Sequence, residues 1–326
     1  GGFSGFAPET DRAAAPAGIK QAYQKQLLRI RTKPKIKSID YSGGISMNFS
    51  VKILSILNPF IPFRELKEHR LLWKNLLKRR LTQAYHGSLL GGLWSVIQPL
   101  FMLVVYLYVF RVVFKVRWDA AAEASDSMFA VIMFCGLAFF NIFSEAVNAS
   151  AGIMCANVNF VKKTVFPLEL LPLTQSCGAA ILGGIWFILI FLANLWLNGR
   201  DAISWPLLLF PVIFLLFVLF VSGICLIVAS LGVYFRDTQF ICSMVLHVLF
   251  FTTPIFYPVS AVPERFRWIL KINPFSMFVD TGRSVLIYGE APAFSTFIIL
   301  LLLAIGFWQI GWGWFHTTGK GFADVL

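Results

Sequence analysis

From Leu93 onward the chain carries apolar runs of about 20 residues with few or no charges, the length an α-helix needs to cross a hydrocarbon core about 30 Å thick. In that medium backbone polar groups must be satisfied internally, so the runs are read as helices. In order they give spans at about Leu93–Phe114, Met128–Val147, within Leu168–Leu197, and at Pro206–Val233. A last span lies at about Phe294–Trp314, where Trp308, Trp312 and Trp314 serve as interface anchors. Between the fourth span and the last the pattern breaks. Phe240 to the Thr253-Pro254 step is about 14 residues, roughly 21 Å of helix, too short to cross alone. Pro254, Pro258, Pro263, Pro274, Gly282 and Gly289 then interrupt apolar clusters around 266–270 and 284–287. This predicts a fifth helix followed by short re-entrant helices dipping into the outer leaflet, tolerable only where protein or a water-filled path surrounds the backbone. The expected fold is an all-α integral membrane protein with six transmembrane helices and both ends on one side.

Charge orients it. Residues 1–90 hold 16 Lys/Arg against 5 Asp/Glu and residues 91–326 hold 12 against 11, so nearly all of the net +12 precedes the first span. The later loops alone point the other way. Lys162, Lys163, Arg236 and Lys320 lie on one side, against Lys115, Arg117, Arg200, Arg265, Arg267, Lys271 and Arg283 on the other. The basic N-terminal segment outweighs them, which places both termini in the cytoplasm. The positive charge faces anionic lipid or an acidic partner, and a chain tethered by several spans sets nucleic acid aside.

Three regions follow. Residues 1–63 form a basic extension, expected to be largely disordered over 1–46 and without an apolar core of signal-peptide length. Gly1 is no translation start, whereas Met47 could be one. Residues 64–92 hold an amphipathic helix and a turn. Leu66, Leu72, Trp73, Leu76, Leu77 and Leu81 share one side, and Lys67, Lys74, Lys78 and Arg79, followed by Arg80, provide the charge. Such a helix lies in the headgroup plane. Gly87, Gly91 and Gly92 let the chain turn, Pro99 marks the new direction, and residues 93–326 are the six-span domain.

Ionisable groups at membrane depth are few, and their cost is accepted mainly for function. Glu145 and Glu169 fall near cytoplasmic span ends, where an ion pair or hydration suffices; His247 stands alone on an apolar helix as a hydrogen-bonded packing residue. Cys135, Cys155, Cys177, Cys225 and Cys242 read as small buried residues. No catalytic constellation or metal-ligand spacing emerges. Thr318-Gly319-Lys320-Gly321 lacks both the earlier glycine, Trp314 standing there, and a Ser/Thr after the lysine, so it is no phosphate loop. If ATP drives this protein, another chain binds it.

Gly87-Ser88-Leu89-Leu90-Gly91-Gly92-Leu93-Trp94 with Gln98-Pro99, the run Asn157 to Pro167, Tyr234-Phe235-Arg236-Asp237 and Asn273-Pro274-Phe275 together resemble the permease subunit of bacterial polysaccharide-exporting ABC transporters, over about residues 60–318. The resemblance implies a homodimer in the bacterial inner membrane, paired with two copies of an ATP-binding subunit that holds ATP and Mg. The cargo would be a lipid-linked polysaccharide: O-antigen, teichoic acid or capsule. It also implies that spans one and five line the route and that the outer helices gate it. Tyr106, Tyr108, Phe110, Phe250, Phe251, Phe256 and Tyr257 would offer aromatic faces to sugar CH groups, and Arg265, Phe266, Trp268, Asp280 and Arg283 would belong to the gate.

The polar stretch between spans two and three is longer than a helix connection needs, which points to docking. Phe160 and Phe166 are its apolar anchors, with Asn157, Asn159, Lys162 and Lys163 around them; Arg236 and Asp237 are the second candidate contact with the ATP-binding subunit. Two other classes remain. A secondary carrier would need coupling-ion ligands and, commonly, paired broken helices. A lipid-modifying enzyme would need a catalytic cluster at headgroup level, where Asp280 with Arg283 is the only pair to consider.

Overall fold

A computed structural model describes residue 64 and residues 66–83, 91–113, 126–163 and 166–326, all within the unit Lys52–Leu326. The N-terminal extension, the turn around Gly87 and the loop with Lys115, Arg117, Asp119 and Glu123 lie outside the described residues, as do the side chains of Arg111, Lys163 and Lys271. The described part is helical throughout. In order come α1 (Arg70–Gln83), α2 (Trp94–Leu107) running into a π-turn (Tyr108–Val113), α3 (Asp126–Ala151), the short α4 (Ile153–Ala156) and α5 (Val158–Lys163), and α6 (Leu170–Asn198). Then follow α7 (Phe210–Tyr234), α8 (Thr238–Thr252), α9 (Arg267–Ile272), α10 (Pro274–Arg283), α11 (Phe294–Thr318) and α12 (Phe322–Val325).

Five helical stretches among these are long and apolar enough to cross a membrane: Gly91–Phe110, Ser127–Ala151, Leu170–Ala202, Trp205–Tyr234 and Phe294–Val325. They coincide with the expected spans one to four and the last. The remaining apolar helix, α8, has 15 residues and ends where Thr253 turns to extended backbone before Pro254.

The most apolar stretch, with a mean hydropathy of 3.2, contains α7, and α7 is the hub: it packs on α3, α6, α10 and α11. Apolarity all round suits a membrane span, and it is these packed neighbours that make α7 the centre. Lipid cannot drive such helices together by hydrophobicity, so close backbone packing must. At the α7–α11 crossing a Cβ on Gly311 would strike the backbone of Gly223, and one on Gly223 the backbone of Phe307. On the α6 side, Ser176 and Ser222 join hydroxyls at 2.8 Å, with Ala179 fully buried and Gly183 seated on Ile142. The cysteines are free; Cys135 and Cys225 are buried as expected, but Cys155 is exposed. Ion binding among the described residues finds no cluster of His, Cys, Asp or Glu suited to a metal.

Residues 253–293 form the segment between α8 and α11 that the sequence predicts to be the outer one. Turns at Val259–Ala261 and Glu264–Phe266 lead to α9, then α10 enters the protein with Phe275, Phe278 and Val279 buried against α3 and α7. The π-turn that follows, Ser284–Tyr288, bonds irregularly; buried Asn194 of α6 donates to Leu286 O and Ile287 O at 3.1 and 3.4 Å. Residues 274–287 are thus largely enclosed by protein, whereas 259–268 stay mostly exposed.

Candidate transport path and coupling surface

Where α2 ends and α8 breaks, rings converge. Phe256, only 1% exposed, stacks on Phe110 with centroids 4.3 Å apart and planes 7° from parallel. Tyr106 stands 5.1 Å and Phe250 5.0 Å from it, and Phe140 of α3 backs Phe250 at 4.8 Å. Tyr257 donates its hydroxyl to Phe251 O at 2.7 Å, and the Phe251 ring itself is exposed. Tyr108 is also exposed, on the other side of the π-turn. Of the aromatics singled out in the sequence, Tyr106, Phe110, Phe250 and Phe256 therefore pack as one cluster, while Tyr108 and Phe251 offer open faces. Phe140 belongs to the cluster too, and as one of five phenylalanines in α3 it carried no signal of its own.

Along α8, Gln239, Ser243 and His247 recur every fourth residue and so share a stripe. His247 donates through Nδ1 to Ser243 O at 2.7 Å, yet its ring is exposed, so within this chain it is not the packing residue expected. Ser243 donates to Asn148 Oδ1 of α3 at 3.1 Å. A polar stripe on an otherwise apolar helix fits a water-lined route better than lipid. A separate, mostly apolar crevice of about 590 Å³ lies between α2, α3 and α6, bordered by Leu103, Leu107, Phe134, Ala193 and Trp196 with Ser127 at its edge.

The outer residues divide. Arg265 is exposed with its guanidinium 4.8 Å over Phe266, and Trp268 is exposed as well. Asp280 is half-buried, 3.6 Å from Arg283. Arg283 is 2% exposed and donates to Ile132 O, Pro254 O and Ile255 O. As a catalytic pair at headgroup level, Asp280 and Arg283 fail on this arrangement, since the guanidinium faces inward onto carbonyls. Arg267, not singled out in the sequence, ties the turns together through Val262 O and Ser260 O at 2.9 and 3.2 Å.

At the end of the bundle that the sequence predicts to be cytoplasmic, α1 leans on α6. Leu72, Trp73, Leu76, Leu77 and Leu81 are half-buried and Lys74, Lys78 and Arg79 exposed, the division the wheel predicts. The covered face meets protein: Leu77 and Arg80 lie over Gly178, and Arg80 pairs with Glu145 of α3 at 2.7 Å. That is the ion pair foreseen for Glu145. The stretch after α3 is not an extended loop but two short helices, bent at Asn157, whose Nδ2 donates to Ile153 O at 2.8 Å. Phe160 and Phe166 stack at 4.7 Å and pack with Met154, Val233, Phe315 and Phe322 in a second apolar cluster. Asn159 and Lys162 are exposed beside them, as are Arg236 and Asp237 at the start of α8.

The rejected phosphate-loop motif is the end of α11. Tyr234 donates to Thr318 O at 2.7 Å, Ser230 and Thr318 share a 2.6 Å hydroxyl contact, and Phe322, fully buried, packs edge-on against Phe315. A small cleft of about 230 Å³ opens there between Phe166, Glu169, His316 and Lys320.

Comparison with known proteins gives a consistent picture. The family described as ABC-2 type transporter matches residues 72–287. An O-antigen export system permease protein RfbA of Klebsiella pneumoniae is 28% identical over 253 residues, covering 77% of this chain and 93% of the relative. RfbA of Myxococcus xanthus is 27% identical over 269 residues, 81% and 98% of the two chains. The polysialic acid transport protein KpsM of Escherichia coli is 24% identical over 215 residues, 66% and 80%.

Proposed function

The chain belongs to the ABC-2 type transporter family, and on that premise we propose that it is the permease subunit of an ATP-driven exporter carrying a lipid-linked polysaccharide of the O-antigen type across the bacterial inner membrane. The observation that carries this reading is the alignment with O-antigen permeases over nearly their whole length, 93% and 98%. The polysialic acid relative favours a capsule-type cargo as the second reading; its lower identity and coverage rank it there.

In this reading the chain crosses six times, with α8 and the aromatic segment after it making the fifth crossing, and both termini are cytoplasmic. Two copies enclose the path. The faces of α2 and α8 left uncovered here, including Phe101, Val104, Phe240 and Met244, suit contact with lipid or the second copy. ATP and Mg belong to a separate subunit, and its motion enters through α4–α5 and the Arg236-Asp237 corner. Stacked rings bind sugar CH faces without charges that would hold a moving polymer.

The test is co-expression with its ATP-binding subunit in a strain lacking the native exporter. Surface glycan should appear only when both chains are present, and the glycan restored identifies the class of cargo. ATP hydrolysis by the purified single chain, or export without the partner, would sink the proposal.

A further inference from the structure

The backbone break after α8 leaves acceptors without helical donors. Thr253 is fully buried, Pro254 contributes no N–H, and the carbonyls of Pro254 and Ile255 have no place in a helical ladder. Buried polar groups of this kind need partners, and α10 supplies donors from both of its ends, to a hydroxyl at its start and to the two carbonyls at its end. At its start Asn273, which also caps the helix by accepting from Phe275 N at 3.1 Å, donates to Thr253 Oγ1 at 3.1 Å. At its end Arg283 donates through Nη1 to Pro254 O at 2.6 Å, through Nη2 to Ile255 O at 3.0 Å and through Nε to Ile132 O of α3 at 3.1 Å. One guanidinium therefore joins α10, α3 and the break. The site is shaped for it: a Cβ on Gly136, one turn after Ile132, would fall on Nη2.

The residue after the clamped carbonyls is Phe256, the ring that closes against Phe110, Tyr106 and Phe250. We infer that Arg283 is a positioning residue that holds this aromatic closure in place, by fixing the backbone of Pro254 and Ile255 to α3. It touches no cargo. The planar fork does what an ammonium cannot, since three acceptors on two different elements lie in its plane's reach and a lysine offers one point charge. The inference rests on the reading of the path as a transport route, but its primary readouts do not depend on which cargo moves.

The experiment uses the assembled transporter, with its ATP-binding subunit, in proteoliposomes without glycan. Arg283→Lys and the milder Gly136→Ala are compared with wild type by hydrogen exchange of peptides covering 253–258 and by leak of a small trapped solute. We expect faster exchange at 253–258 and at least a tenfold higher leak in Arg283→Lys, a smaller change in the same direction in Gly136→Ala, and wild-type protection in α6 and α7. Wild-type leak and protection at 253–258 in both variants would overturn the inference. So would protection lost equally through α6 and α7, which marks a general packing role. Should the chain prove to carry no glycan, the local exchange result would still stand or fall alone.

Discussion

The α7–α11 pair and the α2–α8 pair are built from similarly apolar residues, yet they are held differently. Around α7 nearly every face is covered, and glycine lets the helix backbones touch. Along α8 only Thr238 and Leu246 are buried, and α2 leaves Phe101 and Val104 about two-thirds exposed, at 66% and 64%. Covered helices with direct backbone contact form a rigid frame, whereas sparsely covered helices, α8 being held by rings at one end, by buried Leu246 and by the Ser243–Asn148 bond, belong to the low-stability part of a structure, from which moving elements are drawn. The contrast teaches that hydropathy marks what enters a membrane and close packing marks what stays put.

The largest expected effect tests the frame. Gly311→Ala places a methyl on the Gly223 backbone, which must separate α7 from α11, at a cost of about 1–3 kcal/mol or more. Gly306→Ala in the same helix meets nothing within 4 Å. Thermal unfolding in detergent and the amount of protein in the membrane should fall sharply for the first and hardly move for the second. Equal behaviour would mean that the crossing is not the rigid element.

Next comes the segment between α8 and α10, which the family resemblance assigns to the gate. Deleting Glu264–Ile272 removes α9, the turn before it and Arg267, whose side chain secures the backbone of Ser260 and Val262, while leaving α10 and its contacts with the frame. Export should be lost, or the membrane should leak small solutes, in cells where the truncated chain accumulates normally. Normal export across a tight membrane would refute the assignment of this segment to the gate.

A smaller effect is expected at α4–α5, where the proposed function has the drive meet the frame. Phe160 contacts Phe166 and the cluster of Phe315 and Phe322, so a push on α5 reaches the ends of α7 and α11 directly. Phe160→Ala removes a ring pair worth about 0.5–1.5 kcal/mol beyond its buried area. It should reduce complex yield with the ATP-binding subunit or uncouple hydrolysis from export, while Lys162→Gln, at an exposed position, does less. Wild-type values for Phe160→Ala would move the contact to Arg236 and Asp237.

The spans were legible because runs of about 20 apolar residues have few alternatives in a membrane. So was the short α8, from its distance to Pro254. What stayed hidden depends on partners far apart in the chain. Arg283 among outer polar residues reads as a gate charge, and only residues 132 and 254–255, brought together by the fold, make it a buried clamp. The apolar side of α1 has the same periodicity whether it meets lipid or α6, since both are hydrocarbon to the helix. Phe322 follows a Gly-Lys-Gly turn and looks like a tail residue, although it is fully buried.

The smallest effect concerns whether α1 belongs to the frame at all. Its link to α3 is the Arg80–Glu145 pair, with side chains 22% and 42% exposed, and pairs in that setting contribute about 0.2–1 kcal/mol. Glu145→Gln should therefore lower the unfolding temperature only slightly, by less as salt rises, with export unchanged. Adding Arg80→Gln should cost less than the two single changes summed, because both remove the same contact. The double cycle, read by thermal unfolding at low and high salt, separates the pair from the packing of Leu77 and Arg80 over Gly178. A loss as large as that of Gly311→Ala would place α1 in the frame, and the motion transmitted from the cytoplasm would then have to pass through it rather than around it.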